Sequence, residues 1–317
     1  MTQTMKAAVF NRYGDVDVLH IADIPRPTIS AGQILVKVHA AAINPKDTFI
    51  RKGRFKRFTG NDFPKTTGFD FSGVVAESQV ADLSVGTPVF GMLDGWHGAT
   101  CAEYVVATGE QVAIKPDNVS FVEATAIPLV GLTALQALRD EGGLRENANQ
   151  SVCINGASGG VGTMAVQIAK RYGAKVTAIA SERNHDFLRE LGADYCIDYR
   201  QTDITLTNSQ FDIFFDVFGN INYRDAKPIL TPSGTWVSTV LKLHVFASLM
   251  LSRFTRQSAR LVVVKANCAD LQELGEWLAV GAVRAIIYET YPLADIQSAH
   301  SQQQTKHTRG KLVVKIP

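Results

Sequence analysis

One stretch limits what this chain can fold into more than any other: Val152-Cys153-Ile154-Asn155-Gly156-Ala157-Ser158-Gly159-Gly160-Val161-Gly162. An apolar strand runs directly into a turn of small residues. From that turn Val161, Ala165, Ile168 and Tyr172 recur at helical spacing. Read from Ala157, the pattern is Ala-x-Gly-x-x-Gly, the dinucleotide fingerprint with Ala in the first glycine place. The chemistry demands small residues there. The turn must be tight, the backbone must approach a pyrophosphate closely, and the helix must pack against the strand. The helix N-terminus then offers unpaired N–H groups and a partial positive charge. A second strand, 175–180, follows at the distance a βαβ unit requires, so the local context supports a phosphate grip at Ser158, Gly159, Gly160 and Val161.

The alternation continues downstream. Strand-like runs at 195–198, 211–217, 234–240 and 261–264, with a helix over 184–191 stopped by Gly192, predict a doubly wound parallel sheet with helices on both faces. The first third reads differently. Short alternating strands at 6–10, 33–40, 71–77, 87–92 and 102–106, punctuated by Gly and Pro, predict a small antiparallel barrel or sandwich. The last fifty residues, with strands at 285–287 and 311–316, resemble the first part. At roughly 150 residues per domain, 317 residues make about two. We expect a β-rich domain from 1–124 with 266–317 and a Rossmann domain over 125–265, with ligand in the cleft between them.

Charge and cysteine usage exclude several classes. With 32 basic and 30 acidic side chains the net charge is +2, too small for a general field toward nucleic acid or anionic lipid. The most apolar stretch, 237–251, is interrupted by Lys242 and His244, so no membrane-spanning segment is expected. No secretory signal is visible, and the four cysteines, Cys101, Cys153, Cys196 and Cys268, show no metal-clip or disulfide spacing. The expected location is cytoplasmic.

The end of the second parallel strand distinguishes the two nicotinamide coenzymes. A carboxylate there holds the 2′-hydroxyl of NAD, and a cation accommodates the 2′-phosphate of NADP. Ser181 and Arg183 suit the phosphate, and Tyr199 after the third strand can add a hydroxyl. Glu182 argues the other way. The balance favours NADPH.

Four segments carry a family resemblance: Gly131-Leu132-Thr133-Ala134-Leu135-Gln136-Ala137-Leu138, the turn above, Leu191-Gly192-Ala193-Asp194, and Gly310-Lys311-Leu312-Val313-Val314. Together they resemble the medium-chain dehydrogenase/reductase superfamily over essentially the whole chain. The segment Asn44-Pro45-Lys46-Asp47-Thr48-Phe49-Ile50-Arg51-Lys52-Gly53 is similar to the zinc-independent quinone oxidoreductase branch and its plant chloroplast-envelope and enone-reducing members. The resemblance implies a GroES-like catalytic domain beside the Rossmann domain, and a homodimer. Zinc-dependent members place a Cys ligand where Asn44 stands and Gly-His-Glu where Gly68-Phe69-Asp70 stands. Phe69 cannot ligate, and a catalytic zinc needs about three protein ligands, so no metal is expected. His97 and Cys101 read as a loop residue and a packed strand residue.

Without a metal, the chemistry implied is hydride delivery from NADPH to a quinone or to the C=C bond of an α,β-unsaturated carbonyl. Charge develops on the carbonyl oxygen and must meet a hydrogen-bond donor. Asn44 is the implied donor, with a loop-capping amide as the alternative. Phe49, Phe55 and Phe58 stand where many relatives have Tyr and wall an apolar pocket. The proton comes from water or the coenzyme ribose, with Lys46 and Asp47 either available or simply solvated. Thr133, Gly219 and Lys311 match family positions near the coenzyme. The basic run Arg51–Arg57 reads first as a solvated loop, second as a grip for an anionic tail or membrane surface. The rival class is an NADPH-binding sensor or structural protein without turnover.

Overall fold

The structure, a computed structural model, describes residues 3–240 and 243–317. It separates into two compact units, Met1–Leu132 with Lys265–Pro317, and Thr133–Val264. Lys242 and the side chain of His244 lie outside the described residues. Among the described residues no helix is long and apolar enough to cross a membrane.

The first unit is built on strands β1 (Thr4–Phe10), β2 (Leu19–Pro25), β3 (Gln33–Ile43), β4 (Lys65–Thr66), β5 (Asp70–Ser78), β6 (Pro88–Met92), β7 (Tyr104–Thr108) and β8 (Val112–Ile114). β1 pairs antiparallel with β2 and β4. The last two strands of the chain, β15 (Ile287–Pro292) and β16 (Lys311–Lys315), join a seven-stranded sheet of order β15-β16-β3-β5-β6-β8, with β7 also on β3. Its core gathers Phe10, Ile34, Val36, Phe71, Val89 and Leu312.

β3 is the axis of this unit. It pairs antiparallel with β5, Ala42 opposite Asp70, and antiparallel with β16, Ile43 opposite Leu312. The end of β3 is thereby flanked by the start of both neighbours. Asn44, Asp70 and Lys311 meet there although hundreds of residues separate the last from the first.

The second unit holds strands β9 (Ser151–Asn155), β10 (Lys175–Ile179), β11 (Tyr195–Ile197), β12 (Phe211–Asp216), β13 (Leu230–Ser238) and β14 (Ser258–Leu261). All adjacent pairs are parallel, in the order β11-β10-β9-β12-β13-β14. This is the 3-2-1-4-5-6 order of a Rossmann sheet. The helix Gly160–Arg171 buries Met164, Ala165, Ile168 and Ala169.

Two elements sit elsewhere than expected. The apolar run at 261–264 suggests a strand, but pairing with β13 ends at Leu261 and Val263 is 67% exposed. β15 begins at Ile287, not 285. It is a sheet-edge strand whose residues are all partly or fully exposed, so no alternation marks it in the sequence.

Candidate functional site

Backbone geometry makes the turn after β9. Asn155 ends β9, and Gly156 turns the chain with a φ of 84°. That is the left-handed region, which glycine enters without a Cβ penalty. The helix then starts at Gly160, its first bond running from the Thr163 N–H to the Gly159 carbonyl at 2.9 Å. The amides of Gly160, Val161 and Gly162 precede that bond and are free of the helical ladder. Gly162 marks the close packing. A Cβ there would stand 2.3 Å from the Gly156 oxygen and 2.6 Å from Ala157 backbone carbon. A Cβ at Gly159, by contrast, meets nothing closer than 3.6 Å. Ser158, Gly159, Gly160 and Val161 are all half-buried. Such a turn of backbone donors suits a pyrophosphate.

The neighbouring strand ends complete this edge. Asn155 lies opposite Ile179 and Asp216, and Ile179 opposite Ile197. The turn, Ser181, Arg183, Tyr199 and Gly219 therefore follow the carboxyl ends of adjacent parallel strands, where α/β sheets bind ligands. Ser181 is 6% exposed and accepts from Asn184 Nδ2 at 3.1 Å, which leaves its hydroxyl proton for another acceptor. Glu182, Arg183 and Tyr199 are exposed, the last with the Arg200 guanidinium 5.7 Å from its ring centroid. The Gly219 N–H donates to Asp216 Oδ1 at 2.9 Å. Asp216, buried beside Asn155 Nδ2 at 2.8 Å, was not anticipated. Burial pushes its carboxyl pKa up, against the hydrogen bonds it accepts from Asn155, Gly219 and Ile221. Thr133, 5% exposed, sits in the helix Pro128–Leu135.

The first unit gathers the remaining candidates. Asn44 N-caps the helix Pro45–Arg51, and its backbone N–H donates to Asp47 Oδ2 at 2.8 Å. Its side chain, however, faces the sheet. Asn44 Nδ2 donates to Asp70 Oδ2 at 2.8 Å, and Lys311 Nζ donates to Asn44 Oδ1 at 2.5 Å and to Asp70 Oδ2 at 3.0 Å. Asn44, Asp70 and Lys311 are 1%, 0% and 4% exposed. The free Asp70 oxygen accepts from the Leu129 N–H at 2.6 Å.

Asp47 is not solvated, contrary to one expectation. It is buried and also accepts from the Gly68 N–H at 2.7 Å and Thr67 Oγ1 at 3.0 Å. Desolvation pushes its pKa up against those bonds and the charge of Lys311. Lys46 is half-buried, donating to the Gly95 carbonyl at 2.5 Å with its ammonium 3.9 Å from the Phe69 ring centroid. Desolvation draws its pKa down, opposed by Asp47, Asp94 and Asp70.

Phe49 and Phe55 are half-buried with ring centroids 6.5 Å apart, and Trp96 joins them 4.6 Å from Phe55 and stacked 5.1 Å from Phe58. Trp96 lacked any periodic signal because it sits in a bend outside the strands. The basic run is not one solvated loop. Arg51 is 0% exposed, donating to the Gly14 carbonyl and Gln304, while Lys52, Arg54, Lys56 and Arg57 are exposed.

The zinc question meets a chemical obstacle. Asn44 and Asp70 already hold an ammonium, and Phe69 offers no ligand. Cys101 is fully buried in a bend rather than a strand, and desolvation pushes its thiol well up, away from the thiolate a metal needs. Among the described residues no three His, Cys, Asp or Glu side chains are grouped to hold an ion. Asn44, Phe69 and Asp70, as they stand, do not make a zinc ligand set.

Residues 30–117 match the alcohol dehydrogenase GroES-like domain, and residues 191–314 match the family described as zinc-binding dehydrogenase. The chain is 34% identical to an NADPH-dependent alkenal/one oxidoreductase of Arabidopsis thaliana, over 98% of this chain and 79% of that protein. It is 30% identical to the chloroplast envelope quinone oxidoreductase homolog of the same plant, over 98% of both. The quinone oxidoreductase from Coxiella burnetii superposes with a TM-score of 0.92 at 34% identity, over 99% of this chain and 100% of that one. The chain therefore belongs to the medium-chain dehydrogenase/reductase superfamily, in its quinone oxidoreductase-like group, and is an oxidoreductase.

Proposed function

We propose that this chain uses NADPH, without a metal, to reduce a quinone or the C=C bond of an α,β-unsaturated carbonyl. The observation that carries the reading is the open backbone cradle at Ser158–Val161 on the sheet edge that also bears Ser181 and Arg183. The coenzyme supplies a hydride, two electrons and one hydrogen, and water supplies the proton that completes the reduction. The chain's own part is to bind and orient. Backbone N–H groups hold the pyrophosphate, and Ser181 with Arg183 favours the 2′-phosphate. Phe49, Phe55 and Trp96 shield an apolar acceptor from water, and a donor meets the oxygen on which charge develops. The names of the relatives, an alkenal/one oxidoreductase and quinone oxidoreductases, support this acceptor class.

Absorbance loss from NADPH, and then NADH, on adding a panel of quinones, vinyl ketones and alkenals tests the reading. Arg183→Ala should weaken NADPH binding about tenfold and leave NADH unchanged, the size of one charge-assisted contact. No heat on titrating either nucleotide into folded protein would end the proposal. Stoichiometric zinc in the purified protein would end its metal-free half.

A further inference from the structure

Asn44 has a choice of orientation that the chain does not leave open. A carboxamide flipped about its last torsion exchanges oxygen for NH₂ at nearly constant shape. Here both sides of that group are already committed. The ammonium of Lys311 can only donate, so the atom 2.5 Å from it must be the oxygen. The Asp70 carboxylate accepts, so the atom 2.8 Å from it must be the NH₂. A flip would set NH₂ against ammonium and oxygen against carboxylate. With all three residues at most 4% exposed, bulk solvent does little to soften either clash. Lys311 also closes the triangle by donating to the same Asp70 oxygen at 3.0 Å, which fixes its own position.

The lock leaves one group uncommitted. Of the two Asn44 amide protons, one serves Asp70, while the other has only the Ala42 carbonyl at 3.5 Å, beyond good hydrogen-bonding distance. We propose that Lys311 is a positioning residue. Its ammonium serves as the resident cation of this site and holds Asn44 so that an N–H, not an oxygen, is presented to the acceptor's carbonyl. The proposal rests on the reductase reading for its consequence in turnover, but not for the lock itself. Lys311 transfers no proton and touches no reacting atom. Its charge neutralises Asp70, and its N–H selects one of two otherwise similar carboxamide states.

The test combines a spectroscopic readout with kinetics on the full-length protein. In ¹H–¹⁵N spectra of wild type, assigned through Asn44→Gln, the Asn44 side-chain NH₂ should give two widely separated signals slow to exchange with solvent. Lys311→Met should collapse or broaden them. Lys311→Arg, which keeps the charge and the donors, should restore them. In steady state Lys311→Met should lower kcat at least about tenfold with the KM for NADPH within about twofold, since an interaction that strengthens only in the transition state is lost. Lys311→Arg should recover most of it. If Lys311→Met does not fold, Lys311→Leu, which likewise carries no donor, takes its place for both readouts. Unchanged Asn44 signals in the folded variant overturn the lock. Altered signals with kcat unchanged overturn its catalytic consequence. Intact wild-type signals with no acceptor reduced would defeat the reductase reading alone.

Discussion

The phosphate turn and the Asn44 cluster are two solutions to holding polar groups in fixed places. The turn is made of backbone. Its donors are amides, its precision comes from a positive φ at Gly156 and the absence of a Cβ at Gly162, and every residue lies within one short stretch. The Asn44 cluster is made of side chains. Its members come from the ends of β3, β5 and β16, and its precision comes from charge pairing among buried groups. Backbone sites fail through sterics and side-chain sites through electrostatics. The two should therefore break differently.

The largest effect should come from the turn. In Gly162→Val the new side chain meets the Gly156 and Ala157 backbone at under 3 Å, and no flexible group can give way. We expect nucleotide binding to vanish in calorimetry and stability to fall by several kcal/mol, about the scale of severe core overpacking. A variant that bound NADPH normally would break the comparison on its backbone side.

Asp70→Ala should follow. It leaves the buried Lys311 ammonium without its carboxylate. Removing one partner of such a pair costs about 3–5 kcal/mol, read from denaturant unfolding. Asp70→Asn, which keeps the Leu129 N–H bond, should cost less. Equal stability of all three proteins would show the pair to be energetically idle.

The smallest effect sharpens the same contrast through pH. His300 is 0% exposed beneath Thr67, and burial, with the charge of Arg51, pushes its pKa down to about 3 from 6.5. Between those values an unfolded chain binds a proton that the folded protein refuses. Its contribution is intact above 6.5 and is lost as pH falls toward 3. The slope approaches about 1.4 kcal/mol per pH unit for one proton. His300→Gln should flatten the fall in melting temperature between pH 6.5 and 5. An unaltered pH profile would show that His300 does not titrate across folding.

The differing legibility of the two sites follows from their construction. Turn, helix stripe and second strand could be read because each rests on neighbours a few residues apart, and the doubly wound parallel sheet followed from the alternation. Asn44 and Lys311 were singled out by resemblance, but nothing in the sequence placed them against each other. Asp70 drew notice only as part of a place for zinc, and Trp96 and Asp216 drew none. The solvated readings of Asp47 and Arg51 failed for one reason. A charged side chain looks the same in sequence whether water or buried partners satisfy it.

Sequence by itself determined the two-part architecture and the glycine turn between strand and helix, because local periodicity and glycine stereochemistry act over a few residues. Only tertiary structure decided which buried charges meet. β3 pairs at once with β5 and β16, so the start of one and the last strand of the chain deliver Asp70 and Lys311 to Asn44. Coulomb attraction depends on distance in space, and strand pairing rather than chain spacing sets that distance.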